Sequence, residues 1–376
     1  MPAPVYVFRS GLRDWTERVC PARHGSIKVK AIERTQPAAR RPTSFDIAAL
    51  AGVSQPTVSR ALRGSPAVSE ATRRRVMEAA AELNYTVDKN ASSLRRQSSH
   101  TLALLFFEDP TPDNTLINPF FLSMLGSITR ACAEHGYDLL ISFQQLSDNW
   151  HVAYEDSRKA DGIILLGYGD YVTYRPRLEA LIAQRTHFVR WGSTTDGNLG
   201  PTVGSDNAQG GEFATAHLIE SGRRRIAFLG TATAGSPEML ERWLGYRAAH
   251  SAAGMKVHPA LQVNAITTEA AGLAAARTLI ASGHPFDAIF AASDLIAVGA
   301  MRALADAGLR VPRDVAIVGF DDLPAAGLAN PPLTTVAQDP RAAGRALVET
   351  LLALLRGEAA TDTVLPVRLI ARTSSG

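Results

Sequence analysis

Polar and apolar positions follow two different rhythms along the 376-residue chain, and the change falls near residue 100. Between Thr43 and Arg96 apolar residues return every three to four positions, the period of an amphipathic helix. Ile47, Leu50 and Ala51 make the first stripe; Thr43 with Asp46 three residues on resembles a capping box, and Gly52 supplies a stop. Ser54 begins a second helix, in which Pro56 is tolerated because first-turn amides lack intrahelical partners, and Val58, Ala61 and Leu62 turn inward. After the breaker Gly64-Ser65-Pro66, Ser69 starts a third helix with Val76, Ala79, Ala80 and Leu83 on one face. Two short helices joined by a glycine turn, closed by a third, predict an all-α helix-turn-helix head.

From His100 the rhythm becomes short apolar runs separated by helical periods. Strands are expected at 101–107, 138–142, 161–166 and 186–190, with a helix at about 118–135. The pattern then restarts with strands at 225–229, 287–291 and 314–320, and helices through 243–254, 270–281 and up to Ala307. Continuous apolar strands alternating with helices predict parallel sheets covered on both faces, here as two Rossmann-like α/β lobes. Paired lobes of this kind bind ligands in the crevice at the carboxyl ends of their strands.

The chain is long enough for two or three domains. Its formal charge of +3 conceals a division, because residues 1–96 hold 17 Lys/Arg against 8 Asp/Glu and the remainder 22 against 28. A strongly basic head on an acidic body suits nucleic-acid contact at one end and a small molecule at the other. Cys20 and Cys132 fall in different expected domains, so neither a disulfide framework nor a metal cluster is expected, and a reducing cytoplasm fits. No apolar run reaches the roughly 18 residues of a membrane span. Residues 1–42 carry little periodicity and are expected to be a disordered basic extension, with an upstream start codon as one explanation.

On the second helix, Gln55, Thr57, Ser59 and Arg60 lie on the outer side, where an amide and a guanidinium suit base edges and phosphates in a major groove. The whole run DIAALAGVSQPTVSRALRGSPAVSEATRRRVMEAAAELNY resembles the head of the LacI/GalR (lactose-repressor) family of bacterial transcription regulators. The body resembles that family's effector domain, itself similar to periplasmic sugar-binding proteins, in NPFFLSMLGSITRACAEHGYDLLI, ERWLGYRAA, AASDLIAVGAMRALADAGLRVPRDVAIVGFDD and LTTVAQDP.

The resemblance implies a role for particular residues. Gln55 and Pro56 stand where family members read operator bases, as does Arg60, while Thr57 and Ser59 stand at phosphate contacts beside the cap Ser54. Pro56 departs from the common pattern, since its ring offers an apolar surface and no hydrogen bond. Asn90 to Leu94 aligns with a hinge helix whose leucine, here Leu94 with Arg95 beside it, is wedged into the minor groove; Val87 and Asp88 depart from the usual Pro-Asn before it. Arg242 and Asp294 stand where effector hydroxyls are held, and Asp206, Phe120 and Phe121 at further cleft positions, while Thr267 replaces an aromatic that some members use. Taken alone, Asp294 reads as an N-cap, Phe120 and Phe121 as core, and Trp191 equally as a platform for a sugar ring or as packing at the lobe hinge.

The domains expected are therefore the extension 1–42, the head 43–87, a hinge helix and linker 88–99, and an effector-binding and dimerisation body 100–376. Within the body the first lobe is mainly 100–197 and the second mainly 198–320, with the chain crossing back after 320. The implied function is a homodimeric repressor on a palindromic operator, controlled by a mono- or disaccharide, without a cofactor. Enzymatic readings find little support: Gly230 to Gly235 has a phosphate-loop-like spacing without the Lys-Ser/Thr that should follow, and there is no GxGxxG, GxSxG elbow or His/Cys metal spacing. Two rivals remain, an exported sugar-binding protein and a sugar-processing or dinucleotide enzyme fused to the head. A gel shift separates both from a repressor.

Overall fold

A computed structural model describes residues 42–85, 98–107, 117–167, 170–195, 197 and 199–376. The extension and the hinge positions Leu94 and Arg95 lie outside these residues. The chain forms two compact units divided between Val87 and Asp88.

The first unit holds α1 (Ser44–Ala51), α2 (Gln55–Leu62) and α3 (Glu70–Glu82). Thr43 starts α1 as its sequence predicts: its backbone N–H and its hydroxyl donate to the Asp46 carboxylate at 2.6 and 2.7 Å. Gly52 ends the helix at φ 62, a conformation that side chains with a Cβ resist. Ser69 caps α3 by accepting from the Thr72 N–H at 3.3 Å. Ile47, Val58 and Val76 are fully buried where the helices meet, each contributing roughly 1.5 to 3 kcal/mol relative to exposure. Leu50 is not part of this core and is 47% exposed. At about 100° per residue the stripe Ile47–Ala48–Ala51 points roughly 100° away from it, so Ala48 takes the place expected of Leu50.

The second unit contains two six-stranded sheets. The first takes β1 (Thr101–Phe106), β2 (Asp138–Phe143), β3 (Gly162–Leu166), β4 (Phe188–Trp191), β5 (Thr202–Ser205) and, late in the chain, β11 (Thr363–Leu365), in the order β11-β5-β4-β3-β1-β2. The second takes β6 (Ile226–Leu229), β7 (Gln262–Val263), β8 (Ala288–Ala291), β9 (Ala316–Asp321), β10 (Thr334–Ala337) and β12 (Arg368–Ile370), in the order β12-β10-β9-β8-β6-β7. Every pairing is parallel except β10 with β12. Inner strands such as β3, β6 and β8 are buried along their whole length, while β2 stands at an edge with Leu140 and Ile141 exposed.

The helices are α4 (Pro119–Glu134) and α5 (Tyr171–Ala183) in the first lobe, and α6 (Asn207–Glu220), α7 (Pro237–Ala252), α8 (Glu269–Ala281), α9 (Asp294–Asp306) and α10 (Pro324–Leu328) in the second. A last helix, α11 (Pro340–Leu355), returns to pack on α4 and β4. The chain passes between sheets three times, after β5, after β10 and after β11. The first sheet thus keeps β5 beyond the expected division at 197/198, and the chain returns to the first sheet after residue 337. Glycine lets α6 and α7 approach: a Cβ at Gly245 would stand 1.9 Å from the Ala208 carbonyl oxygen, and one at Gly211 2.1 Å from that of Arg242. That approach presents Arg242 to the start of α6. No helix among the described residues is long and apolar enough to cross a membrane.

Candidate functional site

At the carboxyl ends of the strands the two lobes enclose a cavity of about 370 Å³. One wall is aromatic. Asn118 caps α4 by accepting from the Phe120 N–H at 2.9 Å, which places Phe120 at the mouth of the first lobe. Phe120 packs on Trp191, at the end of β4, with ring centroids 5.6 Å apart, and on Phe121 at 5.8 Å. Gly167, just after β3, has φ 76, and a Cβ there would stand 2.6 Å from the Phe121 ring. Phe120 and Trp191 are at once core and lining, so the alternatives open in the sequence are not exclusive.

The opposite wall is polar. The buried Arg242 of α7 donates from Nε to Asn207 Oδ1 at 2.8 Å and from Nη1 to the Ala292 carbonyl at 2.5 Å. Its guanidinium lies 3.7 Å from the centroid of the Phe320 ring, and Nη1 stands 3.8 Å from Asp321 Oδ1. Burial pulls Arg242 below the usual guanidinium range, and the Asp321 carboxylate opposes that shift. Asp321 ends β9 at φ 115, in the left-handed region where a non-glycine residue is strained. Gln338 donates to its Oδ1 at 2.7 Å. Burial raises the Asp321 carboxyl to about 6, against the pull of Arg242 and the Gln338 bond. Thr231, Thr233, Thr267 and Thr268 complete this side.

The structure brings Phe120, Phe121, Trp191 and Arg242 to the cavity and leaves out two expected residues. Asp294 does not line it: fully buried, its carboxylate accepts from the Leu323 N–H at 2.7 Å and the Thr335 hydroxyl at 2.6 Å. Burial, and then the neighbouring Asp321, raise its carboxyl well above the ordinary value. Nor is it the cap, since Ser293 accepts from the Ile296 N–H at 3.3 Å and Asp294 is the first residue inside α9. Asp206 also stays outside the lining, as the N-cap of α6, accepting from the Gln209 N–H at 2.9 Å. Among the described residues, the carboxylates that do face the cavity are Asp170, Glu238 and Asp321. Asp321 follows an expected strand end directly, and the rule that ligands meet the carboxyl ends of strands points to it. Among the described residues no group of three or more His, Cys, Asp or Glu is placed to hold a metal ion.

In the head, Pro56 and Arg60 are exposed one turn apart on α2, with the Arg60 Nε donating to the Pro56 carbonyl at 3.3 Å. Gln55 is half-buried, and its amide donates to the Ser44 hydroxyl at 3.1 Å. The Ser54 and Thr57 hydroxyls stand 2.9 Å apart, and Ser59 is half-buried. The outer side of α2 thus offers the exposed Arg60 guanidinium and an apolar proline ring, with Gln55 held by α1.

Residues 45–88 match the bacterial regulatory proteins of the lacI family, and residues 215–375 a periplasmic binding protein-like domain. The HTH-type transcriptional regulator CelR of Thermobifida fusca is 35% identical over 339 residues, which is 89% of this chain and 96% of that protein. The ribose operon repressor of Escherichia coli (strain K12) is 32% identical over 317 residues, 82% of this chain and 92% of that protein. Among solved structures, a CelR–cellobiose complex superposes with a TM-score of 0.66 at 34% identity, covering 89% of this chain and 100% of that one. A lac repressor dimer bound to operator and the anti-inducer ONPF gives 0.77 at 25% identity, over 89% and 99%. Both units, in this order and over nearly the whole length of the relatives, place the chain in one group: it belongs to the lacI family of bacterial regulatory proteins.

Proposed function

We propose that the protein is a homodimeric transcriptional repressor whose operator affinity is set by a neutral disaccharide held between the lobes of its body. The observation that carries this reading is the two-walled cavity, in which aromatic faces oppose a hydrogen-bonded guanidinium and carboxylate. Aromatic rings suit the apolar face of a sugar ring, and charged hydrogen-bonding groups suit its hydroxyls. Among the described residues three carboxylates line the cavity against one guanidinium, and that guanidinium is already engaged by Asn207 and Ala292. The lining therefore disfavours phosphorylated sugars and uronates.

On the head, Arg60 is the proposed base-reading cation, with Gln55 and Pro56 beside it and Ser54, Thr57 and Ser59 on the phosphate side. Leu94 and Arg95 are proposed to meet the minor groove. Two heads on a palindrome require a two-fold dimer, and the exposed apolar edge of β2, Leu140 and Ile141, is the proposed first-lobe part of its interface. Action on DNA supports a cytoplasmic location.

Calorimetric titration with cellobiose and a panel of neutral disaccharides, against sugar phosphates and uronates, tests the effector class. Binding confined to neutral sugars is expected, and preferred binding of a sugar phosphate contradicts the reading.

A further inference from the structure

The segment leading to the head enters the body through one carboxylate. Asp161, directly ahead of β3, accepts at Oδ1 from the Ser99 N–H at 2.5 Å and the Ser99 hydroxyl at 2.8 Å. Its Oδ2 accepts from the Ser98 hydroxyl at 2.5 Å and the His100 N–H at 3.0 Å. Three consecutive residues thus give four hydrogen bonds to one side chain. The wrap holds His100 at φ 50, where a non-glycine residue is strained, and its ring centroid lies 5.5 Å from that of Tyr137. Backbone bonds complete the joint: the Asp161 N–H donates to the Thr101 carbonyl and the Asp138 N–H to the His100 carbonyl, both at 2.8 Å. The leading ends of β1, β2 and β3 are all engaged.

This clamp buries little apolar surface, since Ser98, Ser99 and Asp161 are half-buried and His100 is exposed. What it supplies is direction. Strand β3 lies between Asp161 and Gly167, which lines the cavity, and its five residues are buried throughout. One rigid strand, spanning roughly 17 Å at 3.3 Å per residue, therefore has the effector cavity at one end and the tether at the other.

We propose that Asp161 is a positioning residue for operator binding: it fixes the tether to the first sheet, so that a movement of the lobe is passed to the head instead of being lost in a slack joint. This rests on the regulator reading above. Full-length wild type, Asp161→Asn and the double variant Ser98→Ala/Ser99→Ala are compared on an operator selected from random duplex DNA. Three further readouts accompany it: affinity for random duplex, thermal midpoint, and trypsin cleavage after Arg95 or Arg96.

An asparagine turns an NH2 group towards donors that need an acceptor, so Asp161→Asn should weaken specific operator binding about tenfold. These donors are half-buried or exposed, so water can replace the lost acceptor at little cost in stability: random-duplex affinity and thermal midpoint should stay at wild-type values, and cleavage at the arginine pair should accelerate. The double serine variant keeps the two backbone bonds and should fall between. Operator affinity equal to wild type in Asp161→Asn overturns the proposal. So does a loss that appears only together with a lower thermal midpoint, which marks a merely structural role. Failure of the wild type itself to select any palindromic site would count against the regulator reading and not against the clamp.

Discussion

Asp321 lies close enough to Asp294 to help raise its carboxyl, yet of the two only Asp321 faces the cavity, and a pair of substitutions separates their roles. Asp321→Asn keeps shape and one acceptor for Gln338 but removes the charge. A hydrogen bond to a charged group contributes about 1.5 to 3 kcal/mol and a neutral one about 0.5 to 1.5 kcal/mol, so the sugar should lose about 1 to 1.5 kcal/mol, or roughly five- to tenfold in affinity. Asp294→Ala removes the acceptor of the Leu323 N–H and the Thr335 hydroxyl, both inside the body. A stranded buried donor costs about 1 to 3 kcal/mol, and for a body of this size each kcal/mol lowers the thermal midpoint by about 2 to 4 °C. The expected pattern is a crossed one, with Asp321→Asn weak in calorimetry at an undiminished thermal midpoint and Asp294→Ala destabilised while binding sugar at near wild-type affinity. Asp294→Ala that loses sugar binding at unchanged stability, beside a silent Asp321→Asn, refutes the geometric assignment.

Arg60→Ala should cost specific operator binding about 1 to 3 kcal/mol and relax the nearby base preference in a selection experiment, with random-duplex affinity almost unmoved. Equal loss on both DNAs would make Arg60 a phosphate contact. Ile141→Asp places a charge on the exposed β2 edge and should shift the protein from dimer to monomer in sedimentation, leaving sugar affinity intact; an unaltered dimer means the interface lies elsewhere. Burial raises Asp321 from 3.8 to about 6 in the folded protein, so the folded state holds this proton more tightly than the unfolded one. The resulting stability is fully present below 3.8 and lost as pH rises through 6, so the midpoint of Asp321→Asn minus that of wild type should grow from about pH 4 to about pH 7. A flat difference contradicts the shift.

The sequence shows most clearly those elements whose patterns are long and local. The expected strand 161–166 and helix 118–135 reappear as Gly162–Leu166 and Pro119–Glu134, because burial on both faces of a strand and capping by Asn118 leave a mark in neighbouring residues. The short strands β5, β11 and β12 leave no such mark. Thr202–Ser205 contains a glycine, and the membership of all three depends on pairing with distant partners. Pro176 within α5 likewise interrupts the helical signal of that segment. In the cleft, aromatic residues at a helix start and a strand end are legible as candidates, whereas the acidic ones are ambiguous. Asp206, Asp294 and Asp321 all stand at the junction of a strand and the next element, where capping, internal anchoring and ligand contact require the same side chain. Only the fold distinguishes them: Asp206 closes a helix, Asp294 ties α9 to Leu323 and Thr335, and Asp321 is turned to the cavity by its left-handed backbone.

In the function proposed, sugar in the cleft and operator on the head are coupled through one molecule, and such coupling must be reciprocal. The direct test measures four affinities on the full-length dimer: operator with and without saturating sugar, and sugar with and without saturating operator. Sugar should change operator affinity by about 5- to 150-fold, and operator should change sugar affinity by the same factor. Operator affinity that is identical with and without a sugar shown by calorimetry to fill the cleft would contradict it.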